Sequence, residues 1–328
     1  MARTSEEAHE HEHEHEHEHE HEEPESLAAL RAHPRVVWRR GDLPDRSYQR
    51  IVSLVPSLSE ALALLGLGDR LVAVTEYCVL PGGAFDGLPR VGGTKDADVA
   101  GILALRPDLV IANQEENTAR VVRQLAAQGV DVWVTYPRTV REGAELLRDL
   151  ATLGASAEHE ASIVAPVLAA VAEAESRRAR VRTAGVSPPR VFCAIWRDPW
   201  MSVGADTYIH DLIELCGGAN VFAEPASKTR GSAGDPAHGA ASRRRRSRPD
   251  RRYPIVELAE IERAKPDLIL LPSEPYAFGE VDRQALRGLD CPAVANDRIH
   301  LIDGTLVSWY GPRIAEAIRV LGQILAIS

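Results

Sequence analysis

The chain has few residues that could cross-link it. It holds 4 Cys in 328 residues. Cys78, Cys193, Cys216 and Cys291 lie far apart and form no Cys-x-x-Cys pair. That argues against a disulfide framework, a cysteine-based zinc site and a thioredoxin-like motif, and leaves four free, mostly buried thiols. Long apolar runs are missing too. None approaches the ~18 residues of a membrane span. The N-terminus lacks the basic stretch and apolar segment of a signal peptide, so the chain as written is expected in the cytoplasm. Neither Gly-x-Gly-x-x-Gly nor Gly-x-Ser-x-Gly occurs, which leaves dinucleotide binding and a hydrolase elbow without support. Gly92-Gly93-Thr94-Lys95 lacks phosphate-loop spacing and reads as a turn at the edge of a cleft.

What is present fits ordinary globular domains. Apolar residues make up 45% and charged residues 26%, and the length suggests two domains with a core each. The net charge of -10 belongs to one end. Residues 1–25 hold 11 Glu and one Arg; the remainder balances 37 basic against 37 acidic residues. The acidity therefore says little about the partners of the folded part.

Residues 1–26 read as a disordered His/Glu-rich tail. His9, His11, His13, His15, His17, His19 and His21 alternate with Glu. Such a tract is expected to chelate zinc, nickel, cobalt or copper in many registers and with poor selectivity. His9-Glu10-His11-Glu12-His13 satisfies His-Glu-x-x-His, but a tract without an apolar face cannot bury a protease zinc site.

From Arg50 the pattern is α/β. Ile51–Val55, Leu71–Val74, Leu109–Ala112 and Val130–Thr135 read as buried strands, alternating with helices that end at Gly or Pro. Residues 27–47 look like a short ordered approach. Lobe one is 27–154. Residues 155–185 read as one long helix of roughly 40 Å at about 1.5 Å per residue, with Pro166 placed to kink it. A second α/β pattern fills 186–328, interrupted by a disordered basic insertion at 225–252. Arg243–Arg246 within it read as solvated, not as a nucleic-acid site. Arg106-Pro107-Asp108 and Lys265-Pro266-Asp267 each join a helix end to a strand, which favours two similar lobes with mostly parallel sheets.

Several segments, in this order and spacing, carry a resemblance. They are Arg50–Ser57, Val91–Lys95, Arg106–Val110, Ala112–Asn117, Trp196–Met201, Leu215–Phe222 and Pro272–Tyr276. The chain resembles the class III, helical-backbone substrate-binding proteins of ABC importers, which bind cobalamin, ferric siderophores or haem; the cobalamin branch looks nearest. The resemblance implies two α/β lobes on one long helix, a ligand cleft between them, and no catalysis. It implies cleft residues Tyr77, Asn113, Glu115 and Asn117 from the first lobe. From the second it implies Trp196, Arg197, Trp200, Glu274, Tyr276, Trp309, Tyr310 and Arg313. Trp and Tyr suit the flat face of a metal chelate, and Asn and Arg suit its amides and phosphate. Core packing, or bracing of a helix start by Arg313, is the plainer alternative for any one of them.

The expected ligand is cobalamin or a related metal chelate, bound by a monomer working with an ABC permease. A ferric siderophore or haem in the same cleft is the alternative. A metal buffer acting through the tail is the reading from another class. The family's permease-docking Glu residues are not matched: Ala119 and Ala259 stand there, with Glu260 adjacent.

Overall fold

The computed structural model describes residues 26–79, 83, 85–223 and 252–326. The His–Glu tail, including His9 to His21, and the expected insertion up to residue 251 lie outside the described residues.

The first sheet contains β1 (Val36–Val37), β2 (Ile51–Ser53), β3 (Leu71–Val74), β4 (Leu109–Asn113) and β5 (Asp131–Thr135), in the order β1-β5-β4-β2-β3. All its pairs are parallel. Every residue of β4 and β5 is buried. Their continuous apolar runs follow from burial of a parallel sheet on both faces. The segment 27–47 is more than an approach, because β1 is an edge strand of this sheet. The buried carboxylate of Asp131 fastens it, taking Arg35 and Arg46 at 2.7 Å each and the Tyr48 hydroxyl at 3.1 Å.

The second sheet contains β6 (Arg190–Trp196), β7 (Met201–Ser202), β8 (Ala219–Asn220), β9 (Leu268–Pro272) and β10 (Ile299–Ile302). Its order is β10-β9-β6-β7, with β8 also on β6. Only β7 is antiparallel. The expected α/β class with mostly parallel sheets is therefore present. β7, β8 and the helices Glu280–Leu286 and Pro292–Ala295 were not legible in the sequence. Elements of two to seven residues show too little periodicity to read.

The Pro-Asp echo is structural. Arg106 and Lys265 both adopt left-handed φ, 49° and 45°, and turn the chain from helix to strand. Asp108 then accepts the backbone N–H of Arg50, and Asp267 that of Arg190. The guanidinium of Arg50 bonds the Leu105 carbonyl, and that of Arg190 the Ala264 carbonyl. Each lobe locks its helix-to-strand corner with the same Arg and Asp.

The linking helix runs through 157–183. Glu160–Val164 within it is a π turn, followed by Ala165–Thr183. The widened turn lies just before Pro166, which has no N–H to give and crowds the preceding turn. Val167, Val171 and Ala174 form its buried stripe. One apolar cluster passes from Leu58 and Leu62 of the first lobe, through Val171, to Tyr208, Leu212, Ile314 and Leu321 of the second. The lobes thus share a core instead of hanging from a bare hinge.

Gly143, in the helix Val140–Ala151, faces that seam at close quarters. A Cβ there would lie 2.8 Å from Tyr310 Cβ and 3.3 Å from both Ile314 Cδ1 and Tyr208 Cε2. Gly143→Ala is predicted to cost about 1–3 kcal/mol by overpacking, despite alanine's better helix propensity. Urea unfolding of the two proteins measures this. A loss under about 0.5 kcal/mol would show that the seam yields freely.

Candidate ligand cleft

The carboxyl ends of the parallel strands deliver the polar and aromatic loops of both lobes. Open α/β sheets bind ligands at this end. After β4 the chain turns through Gln114–Asn117. Asn113 Oδ1 accepts the N–H groups of Glu115 (2.7 Å) and Glu116 (3.2 Å), and its Nδ2 donates to the Tyr310 hydroxyl (2.6 Å). Asn117 Oδ1 accepts the Asn113 N–H at 2.7 Å, and its Nδ2 donates to the carbonyls of Leu54 and Thr94. Both Asn are buried. They were expected as ligand contacts. The structure spends their polar atoms on the scaffold that presents Glu115 and Glu116.

The second lobe supplies an aromatic wall. Trp196 stands at the end of β6 with 44% exposure. It meets Tyr276 edge-on at 5.5 Å. Tyr276 packs on Phe278 at 4.6 Å, and Phe278 stacks on Trp200 at 5.8 Å with rings 7° from parallel. Phe278 was not singled out from the sequence, though its place two residues after Tyr276 was a clue. Tyr77, after β3, is 63% exposed. Trp309 and Tyr310 are buried and belong to the seam below the cleft.

The arginines are already occupied. Arg313 Nε and Nη2 grip both oxygens of Glu60 at 2.8 Å, its Nη1 bonds Thr305 Oγ1 at 2.8 Å, and its guanidinium lies 4.9 Å from the Trp309 ring centroid. This pair bridges the lobes. Its partner lies 253 residues away, so Arg313 does more than brace the start of its own helix. Arg197 pairs with the buried Asp282 and lies 5.6 Å from the Trp200 ring centroid. Arg252 Nη1 and the Tyr253 hydroxyl converge on Glu115 Oε1, at 2.8 and 2.7 Å. Arg252 had been assigned to the insertion. Its carbonyl accepts the Gly204 N–H at 2.7 Å, so it belongs to the edge of the second sheet.

Two carboxylates complete the floor. Glu274 accepts Ser308 Oγ at 2.6 Å. Gly304 makes this possible, since a Cβ there would stand 2.4 Å from the Glu274 nitrogen. Glu116 is half-buried. Loss of hydration, then the charges of Glu274 and Glu115, push its pKa up to about 7, against the pull of Lys95 and a hydrogen bond from Tyr310. Glu116, Ser308, Arg252 and Tyr253 were not named as cleft residues from the sequence, whereas the turn that carries Lys95 was placed at the cleft edge. Glu116 and Lys95 do lie inside segments that carried the resemblance.

Among the described residues, no group of three or more His, Cys, Asp or Glu could hold a metal ion, and no helix is long and apolar enough to cross a membrane. A separate cavity of about 670 Å³, lined by Arg178, Arg182, Pro189 and Gly217, opens at the opposite ends of the second sheet's strands. Ala119 is buried in the first turn of its helix, and Glu260 accepts the N–H of Glu257 as part of a helix cap.

Two α/β lobes on a shared core thus bring the aromatic and acidic loops at their strand ends together. A family model described as periplasmic binding protein matches residues 51–304, and the chain belongs to that family. The family is one of substrate-binding proteins and not of enzymes. Among curated relatives, the vitamin B12-binding proteins of Yersinia pestis (strain Pestoides F) and Yersinia pseudotuberculosis (serotype O:1b) are 33% identical over 189 residues. That span is 56% of this chain and 63% of theirs. The periplasmic vitamin B12 binding protein BtuF of Vibrio cholerae superposes with a TM-score of 0.66 at 24% identity, over 86% of this chain and 98% of its own. The periplasmic heme-binding protein RhuT from Roseiflexus sp. RS-1 gives 0.64 at 22%, over 84% and 97%. At these identities the two structures show the fold alone.

The Glu116 environment sets a pH dependence. A carboxyl whose folded pKa is raised binds more protons folded than unfolded between the two values. Its stabilising contribution is full below 4.5 and is lost as pH rises through about 7. The thermal midpoint of the parent should therefore fall, relative to Glu116→Gln, between about pH 5 and pH 8. Parallel melting profiles for the two proteins would contradict this.

Proposed function

We propose that the chain binds a cobalt corrinoid of the cobalamin type in the interlobe cleft, as the substrate-binding component of an ABC-type uptake system. The observation that carries this reading is the state of the cleft charges. Arg197, Arg252 and Arg313 each already face a carboxylate of the chain. The cleft therefore offers carboxylate acceptors and aromatic faces. A corrin ring is wide and flat, and its rim carries amides whose N–H groups suit such acceptors. Haem brings two carboxylates and ferric siderophores are commonly anionic; either would meet Glu274 and, in its ionised form, Glu116 at the cost of like-charge repulsion. The vitamin B12-binding relatives support the same choice. Delivery to a permease rests on the family's role. The docking carboxylates used elsewhere in it have no match at Ala119 or Ala259, so contact with a permease would use other residues.

Calorimetric titration of the full chain with cyanocobalamin, in chelator to silence the His–Glu tail, tests the reading. One site is expected, with quenching of Trp fluorescence and a dissociation constant in the micromolar range or below. Trp196→Ala should weaken binding about tenfold or more, since a large aromatic at an interface centre contributes about 2 kcal/mol. Absence of heat and quenching with cyanocobalamin, beside saturable binding of hemin, would transfer the cleft to the haem reading.

A further inference from the structure

Residues 252–256 run as an extended strap along the edge of the second sheet. Gly204 N–H bonds the Arg252 carbonyl at 2.7 Å, Ser202 N–H the Pro254 carbonyl at 3.0 Å, and Val256 N–H the Trp200 carbonyl at 2.9 Å. Met201 and Ile255 form an antiparallel bridge. Backbone bonds thus fix the strap to the second lobe, beside the loop that carries Trp196 and Trp200. Its first two side chains leave that lobe. Arg252 Nη1 and the Tyr253 hydroxyl share Glu115 Oε1, and Arg252 also donates to the hydroxyl of Tyr136, the residue after β5. Glu115 is held on the first lobe by Asn113. The Arg252 and Glu115 side chains are 29% and 30% exposed, so water and salt screen the contact only in part. Burial, then the Glu115 charge, hold the Tyr253 hydroxyl well above its ordinary pKa, so it stays a donor at neutral pH.

We infer that Arg252 and Tyr253 latch the two lobes together through Glu115, and that an incoming ligand reaches this carboxylate by displacing them. The second half of this inference rests on the cleft being the ligand site. Glu115 can satisfy either the chain's own donors or those of a ligand. Amide N–H groups can replace the guanidinium and phenol on that oxygen, whereas a carboxylate cannot. The latch therefore both slows entry and selects for ligands whose rim carries donors.

Two readouts separate the latch from the ligand assignment. Arg120→Cys and Val281→Cys, both at exposed sites and one on each lobe, take spin labels in the full chain; the four native thiols are buried. Pulsed dipolar spectroscopy then measures the interlobe distance without ligand. Arg252→Gln with Tyr253→Phe should lengthen and broaden the distribution, while keeping the strap's backbone bonds. An unchanged distribution would overturn the latch. With cyanocobalamin in stopped flow, the same variant should associate about tenfold faster, equivalent to about 1.4 kcal/mol. An equal or slower association rate would overturn the displacement step. Longer distances with no cyanocobalamin binding by parent or variant would sink the corrinoid reading and leave the latch standing.

Discussion

The bidentate pair between Arg313 and Glu60 sets the frame on which the cleft depends. Glu60 lies in the first helix of one lobe and is almost fully buried; Arg313 precedes the last helix of the other. Burying either charge alone would be costly, so each fixes the position of its partner. The Asn113–Tyr310 hydrogen bond and the apolar cluster through Tyr208 and Ile314 lie in the same seam. The seam brings the loops of both sheets to one place at a defined spacing. It also limits lobe movement to small displacements around a packed core, not swings about a free linker.

Above that seam, charge is distributed in a consistent way. Arg197, Arg252 and Arg313 each face a carboxylate, and two further carboxylates, Glu116 and Glu274, repel each other. Lost hydration, then the charge of Glu274, raise the Glu116 pKa to about 7. On the proposed reading, such a cleft disfavours anions and accepts a large, flat solute with hydrogen-bond donors at its edge. The aromatic wall of Trp196, Tyr276, Phe278 and Trp200 supplies the apolar contact such a face needs.

Much of this was legible in the sequence. The buried strands appeared as β-branched runs, the long helix as a stretch without Gly, and the two-lobe repeat as the Pro-Asp corners. Trp196, Trp200 and Tyr276 were found through the segments that carry the family resemblance. What the sequence hid depends on distant partners. Nothing beside Arg313 points to Glu60, and nothing beside Glu116 points to Glu274. Asn113, Asn117 and Tyr310 were found as residues, but their hydrogen bonds within the chain were not, because the direction of a side chain is set by what packs against it. Arg252 and Tyr253 were masked by the neighbouring low-complexity composition, which hides the point where the sheet edge resumes. The edge strand β1 was too short for its pattern to show.

The proposed cleft is predicted to select an amide rim over a carboxylate rim on the same flat macrocycle. The most direct measurement compares cyanocobalamin with a corrinoid whose side-chain amides are hydrolysed to carboxylates, by competition at neutral pH and low salt. Opposing like charges in a half-buried site costs several kcal/mol, so the carboxylate form should bind at least about a hundredfold more weakly, with the difference narrowing as salt is added. Equal or tighter binding of the carboxylate form would contradict the charge argument and the ligand drawn from it.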